Sequence, residues 1–413
     1  MSEPKQAAPA DLSKVDLANP QTFQRYDLNE LWRRLRDEQP VRWQKPRPGQ
    51  RGFWALTRHE DVMNVYRDNV RFTSERGNVL TTLLQGHDSA AGQMLAVTDG
   101  NRHRDLRNVM LKSFSPKALA DVAASVEARV RGLVAAAVEQ ESCDFAHDIA
   151  EKIPISTICD LLRVPESDRE YLLGLNKQAL SSDDADALHE DALVARNEIL
   201  LYFGDLAEER RASPGDDVLS VLATCRVGGK PLSLPTIVAN CYSLVIGGDE
   251  TSRLSMNGSA LALAEHPSQW ARLRDGQVDI PTAVDELLRW TTPAMHFGRT
   301  ARTPLTIRGH RIEAGEIVTL WNAAADRDER AFTDPETLNL DRQPNRHLAF
   351  GYGPHFCLGA HLGRVEMGAA LRALRSLVHR IEVTGPTQWV HSNFLNGMSS
   401  LPVTLVADTS ARP

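Results

Sequence analysis

The stretch Phe350-Gly351-Tyr352-Gly353-Pro354-His355-Phe356-Cys357-Leu358-Gly359 decides how the rest of the chain is read. Two glycines and a proline so close together ask for a backbone of special shape. Helical spacing begins at Gly359 and runs to about Val378, so Cys357 stands at a helix start. There the helix dipole and free backbone N–H groups favour a thiolate over a thiol. A thiolate so placed is a nucleophile, a redox thiol or a metal ligand. As a dinucleotide-binding loop the stretch fits poorly, because Phe356 follows Gly351-x-Gly353 where a third glycine belongs. His355, Cys357 and His361 are spaced suggestively for zinc, but no second ligand cluster completes a structural site. A catalytic cysteine would need a paired base, and none is obvious. A buried structural cysteine is the ordinary alternative, and it has no need of the flanking glycines.

Around this loop lies an ordinary globular composition. The chain has 413 residues, 42% hydrophobic and 24% charged, with a formal net charge of −7. That excludes a disordered, collagenous or disulfide-scaffold protein. A mildly acidic chain does not suit nucleic acid. No apolar run approaches a membrane span, and Met1-Ser2-Glu3-Pro4-Lys5-Gln6 has no signal-peptide core, so a cytoplasmic protein without a membrane partner is expected. Cys143, Cys159, Cys225 and Cys241 form no CxxC pair and read as reduced core residues.

Residues 1–13 lack periodicity and read as a flexible tail. Residues 14–413 show no repeat, linker or domain boundary. Pro40–Trp43 and Gly52–Leu56 flank the turn-rich Lys45-Pro46-Arg47-Pro48-Gly49 as a hairpin, and His59–Arg67 follows as a helix. From Pro116 to Leu273 helical spacing dominates: Ala118–Val138, Ile153–Leu162, Ser167–Leu180, Ala185–Arg211, Asp217–Cys225 and a very long helix over Ser233–Glu265. Ser233 is a suitable N-cap, with Pro235 in the first turn. Pro304–Trp321 changes to short alternating strands, and Ile381–Val383 with Val403–Val406 close the chain as β structure. The expectation is one large domain, mainly α with a smaller β region.

The cysteine loop resembles the haem-binding loop of the cytochrome P450 family, F-x-x-G-x-[HR]-x-C-x-G, at every specified position. The resemblance makes Cys357 the axial thiolate of haem iron, with Phe350, Gly351 and Gly359 shaping its loop. A thiolate ligand pushes electron density onto iron and favours O–O cleavage. Further motifs follow the family's order. Glu286-Leu287-Leu288-Arg289 resembles its E-x-x-R lock. Phe332-Thr333-Asp334-Pro335 with Arg342 resembles the associated buried anchor, although Leu338 stands where an aromatic is common. Gly247-Gly248-Asp249-Glu250-Thr251 resembles the oxygen-activation motif [AG]-G-x-[DE]-T. By that likeness Glu250 and Thr251 are catalytic and relay protons. His103 and Arg107 match an H-x-x-x-R that pairs with haem propionates, and Arg299 and His355 are further candidates, since guanidinium and imidazole donors suit carboxylates.

What the resemblance implies is a bacterial, soluble thiolate-haem monooxygenase of single-domain P450 fold, using haem b and O2. It would hydroxylate or epoxidise a small-molecule intermediate of secondary metabolism, such as an antibiotic or peptide natural product, free or tethered to a carrier protein. The chain has no nucleotide motif of its own, so electrons would come from a ferredoxin-type donor and its reductase. Arg102, Arg104, Arg107, Lys112 and Lys117 form a basic cluster suited to an acidic partner. By family position the substrate pocket draws on Leu83, Leu84, His87, Gly247, Ala294, Met295, His296, Phe394 and Leu395, with the acidic Ser181–Asp191 at the mobile lid. Two alternatives stand beside this reading: oxidative coupling or nitration on the same fold, and a non-catalytic haem or zinc protein.

Overall fold

The computed structural model describes residues 6–140, 142–180 and 190–408. The long helix expected over Ser233–Glu265 runs over Leu234–Glu265. The Ser233 side chain accepts a hydrogen bond from the Thr236 N–H, which caps its first turn. Residues on every side of this helix are buried, Ile237, Cys241, Val245, Leu254 and Ala260 among them. Such a helix belongs at the centre of a protein rather than on its surface.

Shorter helices surround it. Ala120–Glu139 buries Val126, Val130, Val134 and Ala137 as one stripe, and packs against Ala360–Leu377, which follows the cysteine loop. Three fully buried valines contribute roughly 1.5–3 kcal/mol each by transfer from water. Ile280–Thr291 lies against both the long helix and the cysteine helix. Glu166–Leu180 and Glu190–Ala212 pair with each other on the far side. Of the acidic segment Ser181–Asp191, residues 181–189 lie outside the described residues, as does the expected start of the Ala185–Arg211 helix.

The β structure is the smaller part. The hairpin Val41–Gln44 and Phe53–Leu56 joins a five-stranded sheet in the order Val41–Gln44, Phe53–Leu56, Ile317–Trp321, His296–Ala301, Phe72–Thr73. Ile317 pairs in parallel with Phe53, while Leu320 pairs in antiparallel fashion with Phe297. A second sheet sets Pro402–Ala407 between Val378–Val383 and Cys143–Asp144. No helix among the described residues is long and apolar enough to cross a membrane.

The expectation of a free N-terminal tail is corrected from Gln6 onward. The Gln6 N–H donates to the Arg25 carbonyl at 2.8 Å, and the Asp27 N–H donates to the Gln6 carbonyl at 2.8 Å. Ala8 and Leu12 are buried, and the Ala8 N–H donates to Glu30 Oε2 at 2.9 Å. Met1–Lys5 lie outside the described residues. Helices Pro20–Arg25 and Leu28–Glu38 receive this segment, each capped by a side chain, Asn19 and Asp27. Their buried Phe23, Leu31, Trp32 and Leu35 pack with Trp321 of the sheet. Residues 6–13 therefore have core contacts that their own composition does not announce.

Candidate functional site

The cysteine loop leaves the sheet region and turns twice at positive φ, at Gly351 (66°) and Gly353 (70°). A Cβ on Gly353 would sit 2.5 Å from the Tyr66 carbonyl oxygen, so only glycine fits there. The Cys357 N–H donates to the Phe350 carbonyl at 2.9 Å, which closes the loop on itself. Helix Ala360–Leu377 then begins, with Gly359 at its cap. The sulfur of Cys357 is enclosed by protein except where it opens onto a cavity of about 290 Å³. Burial raises the thiol pKa, and the Gly359 backbone N–H, Arg107 and Arg364 act against that rise.

The cavity runs from the cysteine loop to the long helix. Phe350, Gly351, His355, Cys357 and Gly359 line one side, and Gly247, Gly248 and Thr251 line the other. Gly247 has open space where a Cβ would be, whereas a Cβ on Gly248 would meet Ile158 Cδ1 at 2.9 Å. The two glycines therefore serve different purposes, one leaving room in the cavity and one allowing close helix packing. The Thr251 hydroxyl donates to the Gly247 carbonyl at 2.9 Å.

One end of the cavity gathers nitrogen donors. His103, Arg107, Arg299 and His355 all line it. Arg107 Nη2 donates to the Phe356 carbonyl at 2.5 Å, one residue before the cysteine. Arg299 is buried, donates Nη1 to the Gly298 carbonyl at 2.7 Å, and lies over the Tyr66 ring. The rings of His103 and His355 stand 4.2 Å apart. His103 Nε2 is buried and has no hydrogen-bond partner among the described residues. Burial, the neighbouring His355 and Arg107 push its pKa down to about 4. His355 Nε2 is 2.9 Å from Asp99 Oδ1. Burial would raise the Asp99 pKa, but hydrogen bonds from His355, Thr73 and the Ser74 N–H hold it well below the usual carboxylate range. Met110, Phe114, Leu244 and Leu362 add apolar lining to the same cavity. This donor set fits haem: a thiol at one face, imidazole and guanidinium donors with spare capacity at one edge, and apolar walls for a flat ring. Among the described residues no group of three or more His, Cys, Asp or Glu side chains converges as a metal site.

Several expected residues do not reach this cavity. Glu250 turns aside: Arg253 Nη2 holds both of its oxygens, at 2.8 and 2.7 Å. The residue before it, Asp249, is buried against Asn176, whose Nδ2 donates at 2.5 Å. Burial and the nearby Glu250 raise the Asp249 pKa to about 7. Of the expected pocket residues, Gly247 and Ala294 line the cavity. Leu83 is buried against Gly298 instead, Leu84 packs beside the Trp32–Trp321 cluster, and His87 is exposed beyond the helix Leu80–Gln85. Met295 belongs to that same cluster. His296 is fully buried, stacked 4.5 Å from the Trp321 ring, and neither ring nitrogen has a partner among the described residues. Burial alone pushes its pKa down to about 3. Phe394 and Leu395 stand behind the wall, Phe394 edge-on to Phe297 and Leu395 bridged to Ala294. The strand His296–Ala301 explains these shifts, since nearly all its side chains are buried and their alternation turns Phe297 and Arg299 to the cavity.

The structure also brings in residues that the sequence reading passed over. Glu366 is buried on the cysteine helix and lines the cavity, accepting from the Ser252 hydroxyl at 2.6 Å. Burial raises its pKa to about 7. A lone acid on the apolar face of that helix, four residues after Leu362 and four before Ala370, was the available signal. Asn78, Asn240 and Ser243 are further polar cavity residues. Asn78 and Ser243 make no side-chain hydrogen bond among the described residues.

Behind the cysteine loop, Glu286 and Arg289 are fully buried and joined by two hydrogen bonds of 2.8 Å. Arg342 Nε reaches the same carboxylate at 3.0 and 3.1 Å. Neighbouring Asp285 accepts from Arg364 of the cysteine helix at 2.8 Å, and the Arg364 guanidinium lies over the Phe350 ring. The buried ion group and the loop are thus parts of one packed unit.

Comparison with known proteins agrees with this geometry. The family model described as Cytochrome P450 matches residues 280–387. Cytochrome P450 NovI of Streptomyces niveus is 49% identical over 403 residues, covering 98% of this chain and 99% of that protein. The chain belongs to the cytochrome P450 family. Linalool 8-monooxygenase of Pseudomonas putida is 30% identical over 96% of this chain and 100% of its own. Among solved structures, P450 OxyD, involved in the biosynthesis of vancomycin-type antibiotics, superposes with a TM-score of 0.87 at 34% identity, covering 95% of this P450 and all of OxyD. The protein is therefore a cytochrome P450 monooxygenase of bacterial type, a mainly helical oxidoreductase that uses haem b and dioxygen on a small-molecule substrate, with relatives in antibiotic biosynthesis.

Proposed function

We propose that this P450 hydroxylates, or epoxidises, an intermediate of antibiotic or peptide natural-product biosynthesis in the cytoplasm, with the substrate presented as an acyl or aminoacyl group on a carrier protein. One observation carries the catalytic part: Cys357 and Thr251 line a single cavity together with His103, Arg107, Arg299 and His355. The likeness to NovI and to OxyD, over nearly the full length of each, supports the biosynthetic setting.

In this reading Cys357 would hold the haem iron through its sulfur, and the glycine-shaped loop keeps that sulfur in place with the Gly359 N–H nearby. His103 Nε2 and Arg299 would hold the haem propionates, with His355 held in place by Asp99. Bound haem supplies the redox chemistry that activates dioxygen. Thr251 holds a proton on Oγ1 at the cavity wall formed by the long helix, where it donates to the Gly247 carbonyl and can exchange that proton with water in the cavity. Glu250, tied to Arg253, supports the helix there and could reach the cavity only by releasing that partner. The apolar walls position the substrate, and Asn78 and Ser243 offer its polar group hydrogen bonds.

Electrons come from a ferredoxin-type donor served by a reductase. Helix Gly100–Ser113 divides its basic residues: Arg107 turns inward to the cysteine loop, while Arg104 and Lys112 are exposed, with exposed Leu111 beside them and Lys117 just beyond. That face offers charge to steer an acidic partner and an apolar contact to seat it.

The test is product analysis with the haem-loaded enzyme, a ferredoxin and its reductase, under isotopically heavy dioxygen, on matched free and carrier-tethered aminoacyl substrates. The proposal expects one heavy oxygen atom in the product and faster turnover of the tethered form. A coupled or nitrated product without inserted oxygen would overturn the reaction, and faster turnover of the free form would overturn the tether.

A further inference from the structure

The long helix holds the loop that covers one side of the cavity. Leu95 and Ala96 of that loop line the cavity. Asn240, fully buried on the long helix, makes two hydrogen bonds to this loop and one back to its own helix. Its Oδ1 accepts from the Leu95 N–H at 2.9 Å, and its Nδ2 donates to the Gln93 carbonyl at 2.9 Å and to the Thr236 carbonyl at 2.7 Å. The amide orientation follows from these partners, since one is a donor and two are acceptors. One helical turn earlier, Thr236 Oγ1 accepts from Arg102 Nη2 at 3.3 Å, and Arg102 Nε donates to the Gly92 carbonyl at 2.7 Å. Within the loop, the Gly92 N–H donates to the Val97 carbonyl at 3.0 Å. Two successive turns of one helix thus grip the loop at Gly92 and at Gln93–Leu95.

We propose that Asn240 is a positioning residue for substrate selection, fixing Leu95 and Ala96 at a set height over the cavity and so setting the size of substrate that this P450 admits. The clamp holds the loop rather than the substrate, because all three hydrogen-bonding positions of Asn240 are used within the protein. Ser243 and Leu244, one turn further along, are the side chains left facing the occupant. A loop held only by its own turns would adapt to each ligand; one held by two hydrogen bonds from a buried amide, with Arg102 gripping Gly92 beside them, presents a fixed wall. The proposal rests on the haem-monooxygenase reading for what fills the cavity, but not for the clamp itself.

The test uses haem-loaded wild type, Asn240→Ala, Asn240→Asp and Thr236→Val, titrated with imidazole, phenylimidazole and biphenylimidazole and followed by the haem absorption band. Asn240→Asp keeps the shape and faces two carbonyls with an acceptor. Thr236→Val removes the outer grip on Arg102, together with the Thr236 hydroxyl contact to Ser233, leaves the Asn240 side chain intact, and serves if the Asn240 variants do not fold. Hydrogen exchange at the Leu95 amide is measured in parallel. The clamp predicts faster exchange at Leu95 and roughly a tenfold gain for biphenylimidazole relative to imidazole in the Asn240 variants, the equivalent of about one net hydrogen bond. Thr236→Val should move both readouts the same way by less. Unchanged size preference with faster exchange would overturn the role in selection, and unchanged exchange would overturn the clamp. If wild type takes up no haem, the family chemistry assigned to the cavity fails, while the exchange measurement still decides whether Asn240 holds the loop.

Discussion

Substituting Glu286→Gln should cost this protein a large share of its stability. The side chain is fully buried and its carboxylate is the shared acceptor for Arg289, Arg342, the Asn339 N–H and Asn345 Nδ2. Glutamine preserves the shape but removes the only negative charge that these two guanidiniums share directly. Arg289 is fully buried and Arg342 is 7% exposed, so neither recovers the interaction from water. Their remaining partners are the carbonyls of Asp326, Pro335, Thr333, Asp334 and Thr337, which offer partial charge only. Removing one partner of a buried pair costs about 3–5 kcal/mol, against a total of about 5–15 kcal/mol for a folded domain. The assay is denaturant unfolding followed by tryptophan fluorescence, with Glu38→Gln as the control. Glu38 is paired with Arg34 at 2.7 Å on an exposed helix face, and its loss should leave the midpoint where it was. Equal midpoints for wild type, Glu286→Gln and the control would refute the view that this buried ion group holds the fold behind the cysteine loop.

Three further outcomes follow from the same geometry. His296 has its pKa pushed from 6.5 to about 3 by burial, so folding keeps it neutral and stability is lost as pH falls below about 6.5; His296→Phe should gain about 2 kcal/mol on wild type at pH 5 relative to pH 7.5, and a pH-independent difference between the two unfolding curves would refute this. Thr251→Ala should divert a larger share of reductant to peroxide at little change in substrate binding, measured as product formed per nicotinamide oxidised; unchanged coupling would remove Thr251 from proton delivery. Reversing Arg104 and Lys112 to Glu should slow reduction by an acidic ferredoxin several-fold at low salt and flatten the salt dependence of the rate, whereas an unaltered rate in stopped flow would place the docking face elsewhere.

Much of the site could be read from the residues because its parts are close in sequence or carry a signature. The glycines around Cys357 mark a backbone conformation that side chains forbid, and Gly353 against Tyr66 shows why. Ser233 and Pro235 marked the start of the long helix to within one residue. The pocket walls were less legible. His296 and Phe297 are neighbours, yet one is stacked on Trp321 in the core and the other lines the cavity. Which face of a strand meets the cavity depends on the sheet register, here Phe297 opposite Leu320, and that is a long-range fact. Glu250 illustrates another limit. The acid stands at the expected place in the motif, but Arg253, three residues on, takes its carboxylate, and side-chain pairing on one helix face is decided by rotamer and burial rather than by composition. The Asn240 contacts to Gln93 and Leu95 join residues about 145 apart in the chain, beyond the reach of any local pattern.

The central claim is that Cys357 is the thiolate ligand of haem in this cavity, and the absorption spectrum of the dithionite-reduced protein under carbon monoxide tests it most directly. The account predicts a Soret band shifted far to the red in wild type and its loss in Cys357→His, with haem retained through Arg299 and the His103–His355 edge. An unshifted band in wild type, or a red-shifted band that survives in Cys357→His, would contradict it.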